Sequence, residues 1–134
     1  MSGALLDGLS TLIGELAELD RTGEAQVGES RPLSVLVVDD EARMRESLSD
    51  LVRSAGYHAE TAHDGRHALA RLREHAFDLM LLDLVMPDVG GLEVIDRVVD
   101  EGHETRVVVV SGEPSFDYVK QALTCGAVDF IRKP

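Results

Sequence analysis

From Ser34 onward the chain alternates short unbroken apolar runs with longer stretches whose apolar residues recur every three or four positions. An unbroken run suits a strand buried on both faces, and the three-to-four spacing suits a helix with one buried side. The pattern predicts strands at Ser34–Val38, Tyr57–Thr61, Phe77–Leu82, Thr105–Val110 and Ala127–Ile131. Between them it predicts helices at Glu41–Ala55, Asp64–His75, Leu92–Asp100 and Ser115–Thr124, with Asp83–Gly90 as a loop and Gly56 and Gly126 as helix stops. Strands joined by helical crossovers form a parallel sheet covered on both faces. The expected class is α/β, a doubly wound five-stranded parallel sheet whose functional crevice lies at the carboxyl ends of the strands.

The residues before Ser34 read differently. Leu5, Leu9, Leu12, Leu16 and Leu19 are spaced alternately by four and three, which makes residues 1–19 an N-terminal amphipathic helix. Residues 20–33 are polar, hold two glycines and end around Pro32, as a linker does. Residues 34–134 then form one domain. The N-terminal helix is expected either to fill a groove on that domain or to pair with its copy in a dimer, the dimer being favoured.

Composition narrows the partners. The 134 residues carry 13 Lys+Arg against 25 Asp+Glu, a formal charge of −12, so this segment is not expected to bind nucleic acid or an anionic membrane. No apolar run approaches the roughly 20 residues that span a bilayer. Met1 to Gly14 lacks a basic region of the kind that opens a secretory signal. Cys125, the only cysteine, excludes an intrachain disulfide and a cysteine metal cluster. A cytoplasmic setting is expected. Of the basic residues only Lys120 and Lys133 are lysines.

The candidate chemistry sits just after the strands. Asp39, Asp40 and Glu41 follow the first, Asp83 the third, Ser111 and Gly112 the fourth, Lys133 and Pro134 the fifth. Three aspartates converging in one crevice repel each other unless cations offset them. An oxygen-rich set without Cys or His suits Mg²⁺. One Mg²⁺ and the Lys133 ammonium would balance Asp39, Asp40 and Asp83. An aspartate beside such a metal can attack phosphorus and form an acyl phosphate, with Lys133 and the Ser111 hydroxyl facing the phosphoryl oxygens.

These residues stand in VLVVDDE, LMLLDLVMPDVGGLEVI, VVVVSGE and CGAVDFIRKP, with 43 residues from Asp40 to Asp83, 28 on to Ser111 and 22 more to Lys133. In that order and spacing, residues 34–134 resemble the receiver domain of two-component response regulators. The resemblance implies a CheY-like fold that takes a phosphoryl group from a histidine kinase or histidine phosphotransfer protein. It implies Asp83 as phosphoacceptor, and Asp39 and Asp40 as the acidic metal pair, with the Val85 backbone carbonyl as a further ligand. Ser111 would be the switch hydroxyl, Phe130 the switch aromatic, and Lys133 the phosphate-contacting lysine before a cis Pro134. Receiver domains continue past this Lys-Pro pair into a fifth helix, so the last helix is expected to be missing from this chain, with output in a further region or a partner. A homodimer is expected through the N-terminal helix or the helix-four and strand-five face.

Other readings remain open. An Mg²⁺-dependent phosphatase would use the same Asp83, but the chain offers no cap to bind a substrate and no second acid two residues on. A flavodoxin-like cofactor binder would need Gly, Ser and Thr where Asp39-Asp40-Glu41 stand. A pseudo-receiver scaffold would not need the acceptor set. His63 and His67 have the i, i+4 spacing of metal ligands but lack a third, and read as a solvated pair. Cys125 reads as a small buried residue, and Gly90-Gly91 as the opening of a helix.

Overall fold

A computed structural model describes Thr11 and residues 33–86, 89–112 and 116–132. The expected helix over 1–19, all but Leu33 of the linker, Lys133 and the expected cis Pro134 lie outside these residues, Thr11 apart; Thr11 is helical and exposed. Five strands alternate with four helices: β1 (Ser34–Val38), α1 (Ala42–Ser54), β2 (His58–Ala62), α2 (Gly65–Glu74), β3 (Leu79–Leu82), α3 (Gly91–Asp100), β4 (Arg106–Ser111), α4 (Phe116–Cys125) and β5 (Asp129–Arg132). All pairings are parallel, in the order β2-β1-β3-β4-β5. The doubly wound sheet is therefore present, and its order reverses between β1 and β3.

Alternate residues of the central strands feed two cores. Leu36, Val38, Met80, Leu82, Val107 and Val109 face one side, where Leu69, Leu72, Val94, Ile95, Val98 and Ala122 of α2, α3 and α4 pack on them. Val35, Val37, Leu79, Leu81, Val108 and Val110 face the other. There, among the described helices, only α1 contributes, through Met44, Leu48, Leu51 and Val52. Burial on both faces is why these strands are unbroken apolar runs.

Several element ends shift from the expected ones, for local reasons. The second strand starts at His58, not Tyr57. Gly56, at φ 96°, lets its own N–H reach the Arg53 carbonyl and that of Tyr57 reach the Val52 carbonyl, a turn that keeps Tyr57 with the helix. The third strand starts at Leu79, not Phe77. The Asp78 side chain accepts from the Ser34 N–H at 2.8 Å, a place the strand ladder would otherwise fill with a carbonyl. The fifth starts at Asp129 because the Ala127 N–H turns back to the Ala122 carbonyl of α4. Ser111 is the last residue of β4, paired with Arg132, and not the first after it.

Candidate functional site

The order reversal between β1 and β3 leaves a crevice where their carboxyl ends diverge from the helices that follow. Asp39 leaves β1 there and Asp83 leaves β3. Their backbones are held by the extending ladder: Asp39 N–H donates to the Ala62 carbonyl at 3.2 Å, and Asp83 N–H to the Val38 carbonyl at 3.0 Å. Asp39 is 1 % exposed and Asp83 6 %, while Asp40 lies open to solvent. Ligand oxygens of the three carboxylates all lie within 4.8 Å of one another. Among the described residues this is the one group of three carboxylate, imidazole or thiol donors that closes on a point.

Local bonds aim these groups. Asp39 Oδ1 accepts from the Glu41 N–H at 2.9 Å, which ties the carboxylate to the first turn of α1. Asp83 Oδ1 accepts from the Val85 N–H at 3.3 Å. Gly91 lets α3 approach from below: a Cβ there would stand 2.6 Å from the Leu84 Cα and 2.9 Å from the Asp83 carbonyl oxygen. This glycine, read from sequence only as part of a helix opening, is what allows a helix to press against the backbone of Asp83 and Leu84.

The other expected residues fall at the same end of the sheet. Ser111 is buried at the end of β4, two residues beyond Val109, and Val109 pairs with the residue before Asp83. Phe130 is half-buried in β5 opposite Val109 and packs on the first core. Val85 is exposed. Lys133 follows Arg132, the ladder partner of Ser111, outside the described residues. Glu41 does not join the carboxylate group. Sequence reasoning missed Arg45, whose guanidinium donates to the Asp39 carbonyl at 2.8 Å across the first turn of α1. Its place four residues after Glu41 was the available signal.

The remaining candidates stay outside this crevice. His63 precedes α2 and does not share its face; its N–H donates to His67 Nδ1 at 3.3 Å, with the rings 4.4 Å apart. Between them Asp64 caps the helix by accepting from the His67 N–H, which holds its carboxyl below the usual range. Partial burial, followed by the charge of His63, lowers the His67 pKa. Burial, followed by the charge of Asp96, pushes the Cys125 thiol up, against any nucleophilic role.

Three carboxylates without nitrogen or sulfur donors form a hard set, and the donor chemistry fits a divalent cation with oxygen preference. Residues 35–134 match the family described as the response regulator receiver domain. The chain belongs to that family. Its receiver domain is 36 % identical over 101 residues to the chemotaxis protein CheY of Thermotoga maritima, covering 75 % of this chain and 84 % of that protein. It is 33 % identical over 106 residues to the probable transcriptional regulatory protein TcrX of Mycobacterium tuberculosis, covering 79 % of this chain and 45 % of TcrX. The receiver thus spans just under half of such regulators. Among solved structures it resembles the CheY of Borrelia burgdorferi in a CheX–CheY–BeF₃–Mg complex, with TM-score 0.73, 31 % identity and coverage of 77 % of this chain and 79 % of that one. Receiver domains are signalling modules of two-component systems, and no described helix here is long and apolar enough to cross a membrane.

Proposed function

We propose that this receiver takes a phosphoryl group from the phosphohistidine of a histidine kinase or histidine phosphotransfer protein onto Asp83, in an Mg²⁺-dependent reaction in the cytoplasm. The observation that carries this is the convergence of Asp39, Asp40 and Asp83 within 4.8 Å at the reversal of strand order. In the reaction an Asp83 carboxylate oxygen attacks phosphorus, the P–N bond to the donor imidazole breaks, and the imidazole nitrogen keeps the electron pair and takes up a proton. Asp39, Asp40, Asp83 and the Val85 carbonyl would hold Mg²⁺, which supplies positive charge against the phosphoryl oxygens. The CheY of the Borrelia complex, which holds BeF₃ and Mg, supports this choice of ion.

The residues of the chain itself do the rest. Burial of Asp83 limits competing water, and the Val85 N–H steers one of its oxygens so that the other faces the donor. The Ser111 hydroxyl donates to a phosphoryl oxygen, and the Lys133 ammonium offsets the charge left on the product. Drawing Ser111 toward the phosphoryl group leaves space beside β5. Phe130 turns into that space and changes the helix-four and strand-five face, which partners or a second copy then read. Later hydrolysis of the acyl phosphate resets the domain, so the chain is a signalling domain that catalyses its own turnover.

Acetyl phosphate with Mg²⁺ should raise the intact mass by one phosphoryl group, and Asp83→Asn should abolish the rise. Labelling that persists in Asp83→Asn would overturn the assignment, and no labelling of the wild type would favour a scaffold.

A further inference from the structure

Asp40 is the member of the carboxylate group that burial does not hold. Asp39 and Asp83 are buried, whereas Asp40 lies open to solvent in the bend between β1 and α1. Among the described residues no hydrogen bond or ion pair fixes its side chain. Its carboxylate still closes to within 4.8 Å of the other two. What fixes it is the backbone on either side. The peptide after Asp40 is held through the Glu41 N–H, which donates to Asp39 Oδ1 at 2.9 Å. The peptide before it is held through the Asp39 carbonyl, which accepts from the Arg45 guanidinium at 2.8 Å. Peptide units are planar, so tying down both sets the two dihedrals of the residue between them, and with them the direction of its Cβ.

Arg45 is built as a strut for this purpose. The Asp39 N–H still joins the ladder through the Ala62 carbonyl, but β2 ends at Ala62 and has no strand residue left to offer the Asp39 carbonyl a donor. Arg45 supplies one from α1. Its own backbone is fixed at both ends: its N–H donates to the Glu41 carbonyl at 3.0 Å, and its carbonyl accepts from the hydroxyl of buried Ser49 at 2.8 Å. Among the described residues Arg45 makes no ion pair with a carboxylate. Gripping a neutral carbonyl leaves the aspartate oxygens free for a cation. We propose that Arg45 is a positioning residue, which holds the peptide ahead of Asp40 and so aims that carboxylate at Asp39 and Asp83. The role rests on the reading of the three aspartates as the Mg²⁺ site. Charge alone would give the opposite sign. A guanidinium near a cation site repels the cation, so on Coulomb grounds its removal tightens binding, whereas loss of a strut weakens it.

Titration of the full chain with Mg²⁺ alone, followed through the amide resonances of the crevice, tests this. Arg45→Met keeps the apolar stem and removes the donor, and it should raise the Mg²⁺ dissociation constant about tenfold. Arg45→Lys, which retains an N–H donor, should recover most of that loss. Arg43→Met removes the same charge from an exposed position of α1, and should leave the constant within about twofold of the wild type. Without metal, the Asp40 amide should become more mobile in Arg45→Met, its order parameter falling from about 0.85 toward 0.6. Wild-type methyl dispersion in the sheet would separate a lost aim from a lost fold, and Arg45→Gln gives the same comparison should Arg45→Met not fold. Mg²⁺ binding that is unchanged or tighter in the donor-free variant overturns the role of Arg45 and leaves the site standing. No Mg²⁺ binding by the wild type overturns the site itself, and this role with it.

Discussion

The two ends of the sheet group their acidic residues differently. At the amino end, where the helices finish, carboxylates meet bases or backbone donors. Glu101 receives both the Nε and a terminal nitrogen of Arg73, at 3.1 and 2.7 Å, and lies 3.2 Å from the His103 ring. Those contacts, Arg73 first, hold its pKa at about 2. Asp78 is tied to the Ser34 N–H. At the carboxyl end Asp39 and Asp83 also accept backbone N–H groups, but with Asp40 they bring their carboxylate oxygens within 4.8 Å of one another. A fold selected for stability alone would not place three like charges within 4.8 Å. The amino end shows acids spread out and tied to single partners, and the carboxyl end a cluster that could hold a cation.

Substitutions at the carboxyl end should break this contrast most strongly. Asp83→Asn is expected to remove phosphorylation outright while the fold persists, checked by intact mass and circular dichroism. Lys133→Arg, which keeps the charge but replaces a point charge with a planar fork, should leave the fold and lose phosphorylation or the downstream surface change. Full activity would make Lys133 a general counter-charge. Mg²⁺ at ten times its dissociation constant should stabilise the wild type by about 1.4 kcal/mol. Asp40→Asn should weaken that response, measured by thermal melts with and without chelator.

At the amino ends and caps the expected effects are smaller and unrelated to phosphoryl chemistry. Asp64→Ala should cost about 1 kcal/mol by uncovering the His67 N–H at the start of α2. Glu101→Gln should matter least, because the pair is solvent-exposed and screened. Its signature is in pH. The folded pKa of about 2 lies below the ordinary 4.5, so the contribution is complete above pH 4.5 and fades as pH falls toward 2. Glu101→Gln should flatten the stability curve in that window and leave acetyl phosphate labelling unchanged.

Much of this was legible beforehand, and the reasons are physical. Strands buried on both faces leave unbroken apolar runs, and a parallel sheet puts its chemistry just after them, so Asp39, Asp40 and Asp83 could be named from position alone. The boundary shifts at Tyr57 and Phe77 arise from single hydrogen bonds, a helix-ending turn at Gly56 and the Asp78 side chain, which periodicity does not register. The roles of Arg45 and Gly91 depend on how helices are turned against the strands, a phase that spacing along one element does not carry. The leucine stripe at 5–19 announced an apolar face without saying what it meets.

The pairing of β1 with β3 has a consequence for how the site comes into being. Asp39 and Asp40 leave one strand and Asp83 the other, and Val38 meets Leu82 across the ladder only after α1, β2 and α2 have been accommodated between them. Closing so long a loop is an entropic cost met before the contacts reward it. A nascent chain that has emerged only through α2 holds Asp39 and Asp40 without Asp83. On the proposed function, the three carboxylates that would hold the cation therefore come together only with the central strand pairing, before β4 and β5 add Ser111 and Lys133.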